Sequence, residues 1–230
     1  MERAPAAAVA LLSMTERRAI SRTIGILARR YAGRGRTASD RTVPFEVLIA
    51  TILSARTKDE TTIRVVTKLF RRYPTPSTLA KARPKEVERL IMPIGFYRMK
   101  AANIIGTSQA LMERHEGRVP RPMNDLLSLP GVGRKTANIV RAVVFGEPAI
   151  AVDTHVHRIS NRLGWIRTTT PGKSEVALER VVPDRWKRAI NDTFVKFGKD
   201  ICRPVRPQCW QCPVATWCRY APKTTMSSGR

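Results

Sequence analysis

The chain has 230 residues, and its 42 Lys and Arg side chains against 18 Asp and Glu give a formal net charge of +24 at pH 7. Hydrophobic residues make up 43% of the sequence, which is ordinary for folded domains and excludes a wholly disordered chain. No run approaches the roughly 20 apolar residues of a transmembrane helix, which excludes an integral membrane protein. A charge this positive predicts an acidic partner, and a long polyanion such as nucleic acid fits best.

The chain opens with an Ala-rich apolar stretch over residues 4–12 that superficially resembles a signal peptide. The stretch is short, lacks a convincing small-residue cleavage site and runs straight into an amphipathic segment. We therefore expect a cytoplasmic protein with a flexible N-terminus over 1–12.

Helical periodicity dominates the segments that follow. Ser13 and Glu16 form the pattern of a capping box, and Pro44 opens a segment that is apolar nearly all round, which predicts a central, buried helix. Thr57 stands two residues before Asp59, which predicts an N-cap followed by an acidic first turn. Further amphipathic helices are predicted to begin near Pro84, Arg98, Met123, Lys135, Asp153, Lys173 and Pro183. Because clear alternating strand patterns are absent, the sequence predicts an all-α fold with short loops.

The segment Leu129–Asn138 places two glycines between two helical patterns. Gly131 and Gly133 permit a positive φ and a close approach of the backbone to a ligand. The second helix is predicted to start near Arg134, and the free N–H groups at a helix start form a ready site for phosphate. The alternative is a plain αα-hairpin with a glycine turn.

Lys135 falls in the first turn of that second helix, where the helix dipole and the neighbouring Arg134 both disfavour a cation. A nucleophilic lysine must be neutral, so the position suits one. Asp153 follows 18 residues later, after one helix and a short loop, close enough in sequence for the chain to fold it back. The alternatives are a phosphate-binding lysine and an aspartate that only caps the helix starting at Thr154.

All four cysteines lie within 17 residues, at Cys202, Cys209, Cys212 and Cys218. Disulfides in secreted domains join distant segments, so this grouping predicts a metal or cluster site in a reducing compartment. One C-x2-C pair flanked by single cysteines fits zinc modules poorly, because these usually offer two pairs on separate knuckles. Four thiolates also suit an iron–sulfur cluster, with zinc and disulfides as alternatives.

Leu129–Asn138 resembles the helix-hairpin-helix motif of the endonuclease III family of DNA glycosylases. The likeness continues in Val152–His155, in the cysteine loop, in Leu48–Ala55 and in Ile94–Tyr97. It therefore spans about residues 43–218, most of the chain.

The resemblance implies a fold of two all-α lobes with a central cleft. A helical domain over 37–147 would end in the helix-hairpin-helix. A discontinuous domain formed by 13–36 plus 148–220 would carry the C-terminal cluster loop, and a tail over 221–230 would follow. Lys135 and Asp153 would then face each other across the cleft.

The same resemblance implies a bifunctional DNA glycosylase and apurinic/apyrimidinic lyase that removes oxidised pyrimidines from duplex DNA. In the family the lysine matching Lys135 attacks the sugar carbon that bears the damaged base, the aspartate matching Asp153 assists, and four cysteines hold a 4Fe–4S cluster. Members with another residue at the lysine position act only as glycosylases, so Lys135 favours the strand-cutting class. The expected partner is double-stranded DNA with a damaged base or abasic site, bound by a monomer on the nucleoid.

Two rival functions stay open at this point. One is a monofunctional glycosylase that removes a normal base from a mismatch. The other is a DNA-binding module that uses the hairpin and the cluster without chemistry, although the presence of both Lys135 and Asp153 counts against it.

The sequence departs from the family in the two segments that fill the gap left by an extruded base. Arg56 replaces a glutamine, and Phe96 replaces a leucine. An arginine prefers guanine acceptors, so we hypothesise that Arg56 changes the tolerated opposite base or contacts phosphate instead. Phe96 is a plausible wedge, with a core phenylalanine as the alternative. Asp59 matches the family's pocket aspartate but is also placed to cap its own helix, and His155 is expected in a supporting role.

The remaining expected DNA contacts come from the hairpin turn and from the cysteine loop. A solvated basic face is the alternative for the loop arginines. The residues are Gly131, Val132, Gly133, Arg134, Arg203 and Arg206.

Overall fold

The computed structural model describes residues 13–31 and 43–225, and all regular structure within them is helical, without a β-strand. The predicted all-α fold is confirmed. The predictions for residues 1–12, for the domain boundary within 32–42 and for the tail over 226–230 lie outside the described residues. None of the described helices is long and apolar enough to cross a membrane. The helices are α1 (Met14–Tyr31), α2 (Pro44–Ser54), α3 (Asp59–Arg72), α4 (Pro76–Ala80), α5 (Pro84–Ile91), α6 (Tyr97–Arg114), α7 (Met123–Leu127), α8 (Arg134–Val143), α9 (Thr154–Leu163), α10 (Pro171–Val181) and α11 (Asp184–Asp200).

The chain forms two compact units. Of the described residues, 43–147 form one unit, called the hairpin unit here, and 13–31 with 148–225 form the other, called the cysteine unit. In the hairpin unit, α2 is the predicted central helix, because its apolar sequence lets it pack against α3, α6 and α8 at once. Leu48, Ile49 and Leu53 of α2 are completely buried. This packing fixes the positions of α6 and α8, which carry the candidate site residues of the unit.

The cysteine unit has its own core. Helices α1 and α9 both pack against α11, and α10 packs against α9. The hydroxyl of Tyr31 at the end of α1 donates to the Asp200 carboxylate at the end of α11 over 2.8 Å. Burial, followed by this contact with Asp200, raises the pKa of Tyr31 to about 12. The central buried side chains are Ile24, Leu27, Ile159, Phe194 and Phe197.

Most local predictions agree with the structure. The predicted helix starts from Pro84 onward each lie within two residues of an observed start. The capping box is confirmed, because the Ser13 N–H donates to Glu16 Oε2 at 3.0 Å and the Glu16 N–H donates to Ser13 Oγ at 3.2 Å. Sequence reasoning missed the five-residue helix α4, although Thr75 and Thr78 form a capping box there.

The predicted N-cap of α3 is wrong. Lys58 occupies the N-cap position and makes no side-chain cap hydrogen bond. The hydroxyl of Thr57 instead accepts a hydrogen bond from the Lys100 ammonium at 3.2 Å. A contact with a distant helix therefore replaces the local cap.

Candidate active site

The turn between α7 and α8 is held in place by α6. Thr107 Oγ1 donates to the Pro130 carbonyl over 2.6 Å. Gly131 has a φ of +76°, and a Cβ added there would lie 2.9 Å from the Asn103 side chain. The left-handed conformation and the lack of space both require glycine at this position.

Helix α8 begins at Arg134, with Gly133 as an extended N-cap residue that has no side-chain cap. The first hydrogen bond of the ladder runs from the Ala137 N–H to the Gly133 carbonyl over 2.9 Å. The amides of residues 134–136 therefore precede the ladder, at the positive end of the helix dipole. Arg134 and Lys135 are both exposed beside them. This arrangement suits an anion such as a DNA phosphate.

The two turn glycines have different surroundings, so replacing each one tests a different property. Gly131 tests the stability of the fold, and Gly133 tests how closely DNA approaches the turn. Gly131→Ala should destabilise the protein by about 1–3 kcal/mol, because it forces a side chain into a left-handed, crowded site. Gly133→Ala should cost less than about 1 kcal/mol, because φ is −98° and no heavy atom of the described residues lies within 4 Å of the added Cβ. If DNA approaches this turn closely, Gly133→Ala should still weaken duplex binding. Thermal unfolding and fluorescence-anisotropy titrations test the pair; unchanged DNA affinity of Gly133→Ala would exclude close approach at this residue.

Asp153 is the N-cap of α9. Its Oδ1 accepts from the Val156 N–H at 2.8 Å, and the side chain is half-buried. The segment before it is tied to α11, since the Asn191 amide donates to the Ala151 carbonyl at 2.8 Å. A carboxylate has a second oxygen, so capping and chemistry are compatible. Lys135 belongs to the hairpin unit and Asp153 to the cysteine unit, and their pairing across a cleft stays a prediction.

His155 is held against α11 and the cysteine loop. The Arg158 guanidinium lies 3.2 Å from His155 Nδ1 and donates to the Cys202 carbonyl over 2.9 Å. A Cβ added at Gly198 would lie 2.4 Å from His155 Nδ1, so only glycine fits behind the imidazole. His155 stands two residues after Asp153 in the sequence. It is thus held in place, and Arg158 links it to the loop that carries the cysteines.

The four cysteines line one pocket with apolar side chains of α9 and α11. The pocket is partly open to solvent. None of the four forms a disulfide. Burial raises the pKa of Cys212 to about 11 and also raises that of Cys218, so their thiolates require a positive partner.

The thiols are not gathered like the ligands of one ion. No three His, Cys, Asp or Glu side chains in the described residues could together hold a metal ion. A single zinc ion would draw its sulfur ligands to about 2.3 Å. The four cysteines therefore line one pocket, and the iron–sulfur cluster and zinc both stay open at this point.

Arg162 shapes the cysteine loop from α9. Its guanidinium donates to the Arg203 carbonyl at 2.6 Å and to the Pro204 carbonyl at 2.7 Å, and lies 3.6 Å from Cys202 Sγ. Arg203 and Arg206 are exposed on this loop, and Arg206 has a φ of +48°. Both side chains are accessible to a ligand, and their DNA contact stays a prediction.

Arg56 and Phe96 lie together. Each has a left-handed backbone, with φ of 55° and 59°, and the Arg56 guanidinium carbon lies 5.9 Å from the centre of the Phe96 ring. Phe96 is 62% exposed, which excludes the alternative of a core phenylalanine. Asp59 is exposed as the first residue of α3, in the same part of the hairpin unit.

Comparison with known proteins now places the chain in a family. Residues 49–184 match the HhH-GPD superfamily of base excision DNA repair proteins. The chain is 50% identical over 194 residues to endonuclease III of Thermotoga maritima, which covers 84% of this chain and 91% of that protein. It is 40% identical to endonuclease III of Synechocystis sp., over 85% of this chain and 90% of that protein. The chain belongs to the endonuclease III family.

Solved structures agree with this membership. A trapped covalent intermediate of endonuclease III with DNA matches with a TM-score of 0.80 at 38% identity, covering 88% of this chain and 95% of that chain. A thermostable thymine-DNA glycosylase matches with a TM-score of 0.78 at 27% identity, over 90% and 96% of the two chains. The predicted endonuclease III family and the predicted fold class are confirmed.

Sequence reasoning missed three residues that hold segments carrying the candidate site residues. Arg158 and Arg162 hold the cysteine loop, and Lys100 holds the segment around Arg56. All three bind backbone carbonyls more than 40 positions away in sequence. The only signal in the sequence was a basic residue on an otherwise ordinary helix, so motif spacing gave no indication of these contacts.

Proposed function

We propose that this protein is a bifunctional DNA glycosylase and apurinic/apyrimidinic lyase that removes oxidised pyrimidines from duplex DNA. Lys135 Nζ, as the neutral amine, attacks C1′ of the damaged nucleotide; the C1′–N bond breaks, and the base leaves with the electron pair and a proton. Opening of the sugar ring gives a Schiff base between Lys135 and C1′. Loss of a C2′ proton from the Schiff base then forms a C2′–C3′ double bond and breaks the C3′–O bond, and that oxygen leaves as part of the 5′-phosphate of the downstream strand. Asp153 takes the Lys135 proton and stabilises the positive charge that develops on the sugar.

The observation that carries this proposal is the position of Lys135. It stands directly after the Gly131–Gly133 turn at the start of α8, in a chain that is 50% identical to an endonuclease III. A relative with 38% identity has been solved as a covalent intermediate with DNA, the kind of species that a lysine nucleophile forms. The amides of 134–136 and the excess of 24 positive charges support phosphate binding around the same point. We also propose that the enzyme acts in the cytoplasm on the nucleoid, because its substrate is DNA.

Borohydride trapping on two duplexes tests this function. One duplex holds a single thymine glycol and the other a single abasic site. A covalent complex with both substrates is the expected result. Trapping on the abasic site alone would support the lyase activity and contradict the removal of oxidised pyrimidines. Tight binding without any trapping would promote the non-catalytic DNA-binding module.

A monofunctional mismatch glycosylase is the second candidate. The match to a thymine-DNA glycosylase over 90% of this chain favours it, as does the presence of Arg56 where the family has glutamine. Release of thymine from a T/G duplex without strand cleavage would establish this activity. Schiff-base trapping would contradict it.

Arg56→Gln should change the choice of opposite base. The exposed guanidinium over Phe96 is placed to meet the orphaned base with several donors, and guanine offers it two acceptors. We expect the wild type to cleave a lesion fastest opposite guanine. In the variant, the ratio of the rate opposite guanine to the rates opposite the other bases should fall about tenfold, which corresponds to one bidentate contact. Single-turnover cleavage of one lesion opposite A, G, C and T measures the profile. Identical profiles for the two proteins would overturn the role of Arg56.

We infer that Cys202, Cys209, Cys212 and Cys218 hold a 4Fe–4S cluster. Four thiols around one pocket supply the ligand set that such clusters use. The cluster would supply positive charge to buried thiolates and tie the loop to α9 and α11. The lysine chemistry needs no electron transfer, so the role of the cluster is structural.

Cys212→Ser tests the cluster. We expect wild type to contain about four iron and four sulfide per chain and the variant to lose most of both, with a lower melting temperature, because metal binding contributes to folding. Gln211→Ser, at the neighbouring exposed position, is the matched control and should keep its iron. One zinc per wild-type chain in place of iron would contradict the cluster.

A further inference from the structure

Lys100 is a buried cation that the proposed lysine chemistry does not use. It lies in the first turn of α6, and only 4% of its surface is exposed. Its ammonium donates to the Leu53 carbonyl at 2.9 Å, the Ala55 carbonyl at 2.6 Å and the Thr57 hydroxyl at 3.2 Å. An ammonium has three donors, so all three are used, and all three acceptors are neutral oxygens.

These acceptors sit at the end of α2. Leu53 is in the last turn of α2 and Ala55 is its C-cap residue, where the helix dipole is negative and carbonyls lack partners within the helix. The last turn of α2 contains no basic residue of its own. Lys100 therefore supplies, from another helix, the positive charge that the end of α2 favours.

The same residue also reaches the segment that carries Phe96. The Lys100 N–H donates to the Phe96 carbonyl over 3.0 Å, which is the first bond of the α6 ladder and places Lys100 one turn after Phe96. The two segments meet directly as well, since a Cβ added at Gly95 would lie 3.9 Å from the Arg56 carbonyl oxygen. The Lys100 side chain thus holds the backbone on either side of Arg56 from the first turn of the helix that Phe96 caps, and that backbone in turn lies against Gly95.

Arg56 and Phe96 need such support. Both have a left-handed backbone, which is unfavourable for residues that carry a Cβ. Both side chains face solvent, so packing does not fix them. Strained conformations persist only where the surrounding structure enforces them.

We propose that Lys100 is a positioning residue for base extrusion, which locks Arg56 and Phe96 into one rigid wedge. The proposal rests on the proposed function, because it assigns Arg56 and Phe96 to the gap that an extruded nucleotide leaves. The wedge matters only when the target base is paired, since a base in single-stranded DNA needs no opening. Loss of Lys100 should therefore affect paired substrates and spare unpaired ones.

Lys100→Met tests the proposal, because methionine keeps an unbranched side chain and removes the three donors. The substrates are one lesion in a full duplex and the same lesion in single-stranded DNA, and single-turnover rates at saturating enzyme are compared. We expect the duplex rate to fall about tenfold or more, with less than about a twofold change on single strands. Ile104→Val, a mild core truncation in the same helix, is the control for general destabilisation and should leave the ratio of the two rates unchanged.

A second readout links Lys100 to the wedge itself. In a chain that already carries Arg56→Ala and Phe96→Ala, adding Lys100→Met should cause no further loss on the duplex, since there is no wedge left to position. Equal losses on both substrates, or a full further loss in the triple variant, would overturn the proposal. Absence of product from the wild type on every substrate would instead refute the proposed function.

Discussion

Replacing Lys135 by glutamine is expected to abolish borohydride trapping and to slow cleavage at an abasic site by more than about a thousandfold, as loss of the nucleophile does in other covalent enzymes. A Schiff base requires a primary amine, and the glutamine amide cannot form one. The fold should tolerate the change, because Lys135 is exposed in the first turn of α8 and glutamine is a comparable helix former. Gel analysis of trapped complexes on a duplex with one abasic site measures the effect.

Arg134→Gln is the matched control, since it removes the same charge one residue away. If Arg134 contacts a phosphate, the variant should bind DNA more weakly. The slope of the logarithm of the affinity against the logarithm of the salt concentration should also fall by about one. At saturating enzyme the trapped fraction should equal that of the wild type. Loss of trapping in Arg134→Gln with full trapping in Lys135→Gln would place the nucleophile elsewhere.

The helices of this protein could be predicted because they depend on local properties of the chain. The apolar run after Pro44 predicts a central helix, and α2 is buried against three neighbours. The paired glycines predict the turn before α8, and Gly131 indeed has the positive φ that a turn requires. Period, caps and turn residues are each encoded within a few positions, so tertiary contacts rarely need to be known.

The interactions that position the site could not be predicted in the same way. Thr57 looks like an N-cap in the sequence, but Lys100 lies 43 positions later and binds its hydroxyl. Phe96 could be read as wedge or core, and its exposure is fixed by a left-handed backbone that tertiary contacts enforce. Sequence patterns indicate what a residue can do locally. The contact of Thr57 and the exposure of Phe96 depend instead on which distant segments the fold brings close.

The cysteine loop, the proposed cluster site, lies between these two cases. Cysteine spacing in the sequence disfavours zinc modules and suggests a cluster, and the four thiols do line one pocket. The loop also needs a scaffold, and Arg162 supplies it through two carbonyls beyond the first cysteine. The sequence identified the four cysteines, whereas the residue that holds their loop became visible only in the structure.

Asp153→Asn is expected to separate the capping role of this residue from its chemistry. Asparagine caps helices as well as aspartate does, so its side-chain oxygen should still accept from the Val156 N–H and the melting temperature should stay within about 2 °C. In the proposed mechanism, the variant loses the carboxylate that takes the proton from Lys135. We expect base removal to slow by about 100- to 10,000-fold, the usual contribution of a positioned general base.

Asp153→Ala completes the comparison, because it removes the cap together with the charge. It should show the same loss of activity and a further loss of about 0.5–2 kcal/mol in unfolding free energy. Single-turnover base release and thermal unfolding of both variants distinguish the roles. If Asp153→Asn kept nearly full activity while Asp153→Ala lost both activity and stability, the aspartate would serve only to start α9. An inactive but fully stable Asp153→Asn would require the charge itself, since a neutral cap of the same shape then fails in chemistry alone.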